Sequence, residues 1–345
     1  MTFFEYLYYF GYAAKKHHSL KNRKRLPCPV ISIGNLTLGG TGKTPAAMAL
    51  ARKAAGIGFQ PCILTRGYKG KAHGPCFVSK GDGPLLDADQ AGDEAVLMAE
   101  QLPGIPIIKA KRRYEGGMFA LETLQPPVPV PRAQWLFILD DGFQHWVLHR
   151  DKDILLIDGS DPFGNRKLFP FGKLREPLNA MQRADIIVIT NAVSYEGIDN
   201  HEADMESLTR DVKRYAPSVP VFFARHLPTA FITPSVNALN LSDMKDKKVF
   251  AFCGIGNPHS FKNTLLSVAG ELKGFMVFRD HHRYSNAEFR MIIDNAEKSG
   301  ADWIVTTEKD IMRLKGFPLP GNLLALCIEF HVDDEFYKDA FDLRR

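Results

Sequence analysis

Residues Val30 to Pro45 read VISIGNLTLGGTGKTP, an apolar run that passes straight into a glycine-rich loop and then a lysine at a helix entry. This pattern narrows the fold more than any other stretch. Gly34, Gly39, Gly40 and Gly42 fall within nine residues, and such spacing lets backbone N–H groups crowd around anionic oxygens where a Cβ would obstruct them. The loop is a phosphate cradle. Thr37, Leu38, Gly39, Gly40, Thr41 and Gly42 would form its wall, Lys43 would bring a point charge to the β- and γ-phosphates of a nucleotide such as ATP, and Thr44 a hydroxyl for Mg²⁺. The strict phosphate-loop pattern has a glycine where this chain has Thr37. A plain surface turn would explain the strand and the glycines, but it leaves Lys43-Thr44 at the start of an alanine-rich helix over Pro45 to about Ala55 without a reason.

Beyond the loop, short apolar runs alternate with helical patterns, as expected of parallel strands buried on both faces. Pro61–Thr65, Pro106–Ala110, Trp135–Leu139, Ile154–Ile157 and Ile186–Thr190 read as strands, with helices over Ala91–Gln101 and Tyr114–Leu124. The expected fold is α/β: a P-loop NTPase-like, doubly wound, mostly parallel sheet, with a second, smaller α/β domain and an N-terminal membrane-interfacial helix. Its parts are the N-terminal helix (1–28), the P-loop domain (29–220), an interdomain linker (221–240), the smaller domain (241–325) and a C-terminal linker strand and tail (326–345). Four prolines in 125–132 predict a rigid connector. Lys248–Gly254 repeats the strand-then-glycine pattern before a helical run from Ser260, and Asp302–Thr306 supplies another strand. Val221–Pro234 and Cys327–Val332 are further strand candidates.

Five cysteines are scattered without C-x-x-C spacing, which points to a reducing compartment and to neither a zinc site nor a disulfide framework. The net charge of +5 is concentrated. Residues 1–30 carry Lys15, Lys16, Lys21, Arg23, Lys24 and Arg25 against Glu5 alone, and the rest holds 38 bases and 38 acids. Nucleic acid is therefore not an expected partner. Ahead of the basic cluster stand seven aromatics in twelve residues (Phe3, Phe4, Tyr6, Tyr8, Tyr9, Phe10, Tyr12). Amphipathic rings followed by cations suit a helix lying in the membrane–water interface. An ordinary helix packed on the domain is the other reading. The apolar run is too short for a span of ~20 residues, and charge following rather than preceding it argues against a secretory signal.

Asp140 and Asp141 follow the strand Trp135–Leu139, the position at which a P-loop fold brings an aspartate to Mg²⁺. Either of the pair fits that role. Arg112 and Arg113 follow another strand, and their guanidinium forks suit phosphoryl oxygens, although a solvated basic turn explains them as well.

Together with the loop, the strings Thr65-Arg-Gly-Tyr68, Gly92-Asp-Glu94, Asp140-Asp-Gly-Phe-Gln-His145, Leu174-Arg-Glu-Pro177, Phe252-Cys-Gly-Ile-Gly-Asn-Pro258, Asp280-His281 and Thr307-Glu-Lys-Asp310 resemble the tetraacyldisaccharide 4′-kinase family. The likeness runs from about residue 30 to 315. It implies transfer of the ATP γ-phosphoryl to the 4′-hydroxyl of an acylated glucosamine disaccharide lipid, in lipid A biosynthesis, at the inner leaflet of the cytoplasmic membrane. No obligate protein partner is implied. By the same likeness Asp93 is the base that takes the hydroxyl proton and His281 its partner, with His282 the neighbouring alternative. Domain closure would bring the two together. Arg175 and Glu176 match positions near the active site, Arg175 toward the nucleotide and Glu176 toward magnesium. Gln144 and His145 match polar positions whose role is contact with nucleotide or substrate, or purely structural hydrogen bonding.

Two rival readings follow from the same loop. It is similar to that of deviant P-loop ATPases that act as partition or septum-placement switches, which usually carry a signature lysine where this chain has Leu38. The other rival is a non-catalytic nucleotide-binding scaffold at the membrane.

Overall fold

The computed structural model describes residues 3–124, 134–191, 201–235, 237–314 and 316–343, with side chains from 205 onward in the helix that starts at 201. The proline-rich connector expected at 125–132 lies outside the described residues. In chain order the elements are α1 (Phe3–Lys21), β1 (Val30–Asn35), α2 (Lys43–Gly56), β2 (Gln60–Thr65), β3 (Cys76–Ser79), α3 (Ala88–Ala91), α4 (Asp93–Gln101), β4 (Ile107–Lys109), α5 (Arg113–Thr123), β5 (Trp135–Leu139), β6 (Lys152–Asp158), β7 (Ile186–Thr190), α6 (His201–Tyr215) and β8 (Val221–Ile232). They continue with β9 (Ala238–Leu239), β10 (Lys248–Cys253), α7 (Pro258–Leu266), β11 (Glu271–Val277), α8 (Asn286–Lys298), β12 (Trp303–Thr307), α9 (Glu308–Arg313), β13 (Leu323–Val332) and α10 (Asp334–Phe341).

The chain divides into two compact units. Among the described residues, those up to Arg225 and those of His331–Arg345 form the first, and those of His226–Phe330 form the second. The chain crosses from one to the other inside β8 and returns inside β13. The segment expected as a linker, 221–240, is thus strand over most of its length.

In the first unit the strand order is β7-β6-β1-β5-β2-β4-β3. All neighbours pair in parallel except β3, which is antiparallel to β4 at the edge. Both faces are buried. On one, Leu155 and Ile157 of β6 pack with Leu36, Phe143, Met181 and Val212, and Phe137 and Leu139 of β5 with Leu26, Cys62, Leu64 and Ile108. On the other, Ile31, Ile33, Ile63 and Ile138 occupy the alternate positions and are buried as well. That double burial is why β5 and all but the last residue of β7 read as apolar runs. The helix expected over Ala91–Gln101 is interrupted. Gly92 adopts φ +95° and separates α3 from α4, and an added Cβ there would stand 2.6 Å from the Tyr68 carbonyl oxygen.

In the second unit β11-β10-β12-β13 pair in parallel. Helix α8 starts at a full capping box, Ser285 with Glu288, and buries Phe289, Ile292 and Ala296.

Helix α1 runs to Lys21, through part of the basic cluster. Its burial is inverted relative to a usual surface helix. Glu5 and Ser19 are buried, while Phe3, Phe4, Tyr6, Leu7 and Phe10 are exposed, Phe3 and Phe10 by about three-quarters (76% and 75%). Among the described residues no helix is long and apolar enough to cross a membrane.

Candidate active site

The glycine loop bridges the carboxyl end of β1 and the first turn of α2. Gly42 caps that helix with φ +78°, a left-handed conformation that a side chain would resist. A 14-residue helix thereby points its N-terminal amides and positive dipole end at the loop. The outer limb of the loop is held by backbone pairing. Leu38 N–H donates to the Lys173 carbonyl (2.7 Å), Arg175 N–H donates to the Leu36 carbonyl (2.7 Å), and Thr37 bridges Leu174. The inner limb is tied by the Thr190 hydroxyl, which donates to the Thr41 carbonyl at 3.2 Å. Thr44, Thr37 and Thr41 are buried and Leu38 is exposed.

Strand register decides where the paired aspartates fall. β5 lies parallel to β1 with Ser32 opposite Leu139, so Asp140 and Asp141 emerge at the same end as the loop. Asp140 is buried and accepts from Thr65 Oγ1 at 3.1 Å through Oδ2, while its buried Oδ1 has no hydrogen-bond partner among the described residues. Desolvation, then the charges of Glu94 and Asp141, raise its carboxyl to about 6. An orphaned carboxylate oxygen crowded by other acids is electrostatically a place for a cation. With the Thr44 hydroxyl near the helix start, the donor set is all oxygen, as Mg²⁺ requires.

Asp141 has φ +50° and meets Arg175 Nη1 with both oxygens at 3.1 Å and Lys43 Nζ at 3.8 Å. Desolvation would raise its carboxyl, but Lys43 and Arg175 together hold it below the ordinary range. Lys43 Nζ also donates to the Gly39 carbonyl at 3.5 Å.

The remaining polar residues form a connected cluster. Gln144 Nε2 donates to the Asn35 carbonyl and to Glu176 Oε1, both at 2.8 Å, and its Oε1 accepts from Arg175 at 3.3 Å. Glu176, which the family likeness turns toward magnesium, sits at the centre of this cluster. It is fully buried, and Arg183 (2.6 and 2.7 Å), Gln144 and the Tyr12 hydroxyl (3.0 Å) already engage both its oxygens. Arg113 is buried and donates to the Asp140 carbonyl (3.4 Å), and burial lowers its guanidinium to about 10. It braces the aspartate from behind. Arg112 is exposed and paired with Glu115 at 2.9 Å. His145 is pushed down to about 3 by burial and then by Arg113 and Arg150, which keeps it neutral.

Asp93 opens α4 and accepts from the Glu94 N–H at 3.1 Å. It belongs to the first unit. His281 belongs to the second, with φ +55° and its N–H donating to the Gly254 carbonyl at 3.1 Å. Its Nδ1 stands 3.3 Å from Arg313 Nη2, and since guanidinium only donates, Nδ1 accepts and Nε2 carries the ring proton. Arg313 is in turn held by Asp310 and the Gly254 carbonyl, both at 2.8 Å. His282 is instead packed on Phe278 and bonded to Glu288 at 3.0 Å. Sequence reasoning missed Thr65, Tyr12, Arg183 and Arg313 as supports. Thr65 and Asp310 stood inside quoted strings, but nothing local marked Tyr12 or Arg183.

Comparison with known proteins follows the same lines. The family model described as tetraacyldisaccharide-1-P 4′-kinase matches residues 1–343. A protein named tetraacyldisaccharide 4′-kinase from Syntrophus aciditrophicus is 40% identical over 307 residues, covering 88% of this chain and 79% of its own. One of the same name from Desulfotalea psychrophila is 38% identical over 304 residues, covering 88% and 81%. Among solved structures, LpxK from Aquifex aeolicus in complex with ATP aligns with TM-score 0.73 and 32% identity over 99% of this chain and 97% of that one.

Proposed function

The chain belongs to the tetraacyldisaccharide-1-P 4′-kinase family, and from that premise we propose that it transfers the γ-phosphoryl of ATP to the 4′-hydroxyl of an acylated glucosamine disaccharide 1-phosphate in lipid A construction. The observation that carries the reading is the convergence of the glycine loop, Lys43 and the Asp140–Asp141 pair at one end of the sheet, in a chain matched to the family almost end to end. Phosphoryl transfer asks mainly for positioning and charge neutralisation. The loop amides and the α2 terminus cradle the phosphates, and Lys43 and Arg175 neutralise them, exchanging part of their pairing with Asp141 for phosphoryl oxygen. Arg112, on the exposed rim, adds a further guanidinium. Thr44 and Asp140 would hold magnesium, with Asp141 close by, and the ion would supply charge compensation on the phosphates. Asp93 accepts the sugar hydroxyl proton, and His281, fixed by Arg313 with its proton on Nε2, is its partner.

The exposed aromatic face of α1 supports peripheral attachment to the cytoplasmic face of the inner membrane, where the lipid substrate resides. Release of ADP, measured with and without the detergent-solubilised acylated disaccharide at matched detergent, tests the reading. Strong lipid-dependent turnover is expected. ATP turnover indifferent to the lipid but stimulated by DNA or a protein partner overturns it in favour of a P-loop switch.

A further inference from the structure

Helix α1 does more than present aromatic rings outward. Its inner face places two phenols on the segment that carries Arg175 and Glu176. The Tyr8 hydroxyl donates to the Arg175 carbonyl and the Tyr12 hydroxyl to Glu176 Oε2, each at 3.0 Å. Glu176 is fully buried, and its second oxygen accepts from Gln144, whose own amide oxygen accepts from Arg175, which clamps Asp141 beside Lys43. The links are hydrogen bonds as far as Asp141 and an ion pair at 3.8 Å from Asp141 to Lys43, all within one compact unit. The chain of contacts therefore runs from α1 to the lysine of the phosphate loop. Arg183 supports the same hub, bonding both Glu176 oxygens and lying over the Phe143 ring at 3.6 Å. Burial, with Glu176 beside it, pushes the Tyr12 phenol up, so it stays a donor.

We propose that Tyr12 is a positioning residue of the phosphoryl-transfer site: through Glu176 it holds Gln144 and the Arg175–Asp141 pair, so that the seating of α1 sets how well the site receives nucleotide. This rests on the kinase reading above. It departs from the view of an interfacial helix as a passive anchor, because it assigns α1 an effect on ATP that needs neither lipid nor membrane. A hydrogen bond to a buried charge is strong enough for its loss to be read in kinetics.

The test uses the full chain with Tyr12→Phe, which removes one hydroxyl and keeps the ring against Trp146. Calorimetric titration with ATP alone should show binding weakened about threefold, and the lipid-dependent reaction should show kcat lowered about tenfold. The KM for the lipid and sedimentation with phosphatidylethanolamine–phosphatidylglycerol vesicles should stay as in the wild type. The variant Glu176→Gln should reproduce the loss, and the double variant should be no worse than the poorer single one, since both cut the same link. Wild-type kcat and ATP affinity in Tyr12→Phe, a change confined to the lipid KM, or additive losses in the double variant each overturn the proposal. The ATP titration reads out even if no lipid-dependent turnover is found in the wild type, so failure of the kinase reading is separable.

Discussion

Lys43 shares its charge between the Gly39 carbonyl and Asp141, so a bound phosphate draws on a cation already held in position. Lys43→Ala should lower kcat by about 10²- to 10³-fold with the circular dichroism spectrum unchanged, and near-normal turnover would remove the phosphate-loop assignment. Asp93→Asn should act on the barrier rather than on binding. An expected kcat loss of about 10²- to 10⁴-fold with ATP affinity preserved marks a base, whereas an equal loss in both marks a structural acid. His145 makes a different statement, about stability. Burial and the charges of Arg113 and Arg150 bring its imidazole down to about 3, below the value of ~6.5 in an unfolded chain. Unfolding in acid therefore takes up a proton. The stabilising contribution is complete above pH ~6.5 and drains away as pH falls toward the folded value, by about 1 kcal/mol per unit. Urea unfolding of His145→Gln at pH 7.5, 6 and 5 should show a shallower acid decline than the wild type, and parallel declines would refute the buried neutral histidine.

At the scale of elements, β1 is the piece that positions the loop, and Gly34 is where it tolerates least. A Cβ there would lie 2.5 Å from Phe143 Cβ and 2.6 Å from Phe143 N. Gly34→Ala must displace backbone, and a loss of about 1–3 kcal/mol in chemical denaturation is expected. An unchanged midpoint would show that the β1 end and the turn after β5 yield easily. The neighbouring strands show what the sequence makes legible. β2, β5 and β7 could be read within a residue of their ends because both sheet faces are buried and the positions between those ends are apolar. β11 could not, since Glu271–Val277 is half-exposed along its length and mixes polar with apolar positions. The break at Gly92 was hidden because a glycine in an alanine-rich run is tolerated in many helices. The site divides likewise. Lys43, Thr44, Asp140 and Asp141 are announced by the glycine loop and by their places directly after it or after an apolar strand, all local features. Glu176 is not, because its partners Tyr12 and Gln144 come from distant parts of the chain and only the fold brings them to it.

For the molecule as a whole, the inverted burial of α1 leaves an aromatic surface that continues into Phe169 and Phe171, with Phe4 6.2 Å from Phe171 and Tyr8 5.6 Å from Phe169. Surfaces of this kind serve lipid better than water. Deleting residues 2–14 should move the protein from the membrane pellet to the supernatant on fractionation, and retention in the pellet would end the interfacial reading. The pairing of residues 36–38 with 173–175 has a wider meaning. Glycine-rich loops are ordinarily among the most mobile parts of a fold, and an anion that binds one must first still it. Here the outer limb is stitched into a miniature ladder when the chain folds, so much of the ordering precedes the ligand. Preorganisation of that kind lets affinity arise from a handful of contacts, and it makes the strand-like segment before Pro177 as much a part of the nucleotide cradle as the glycines themselves.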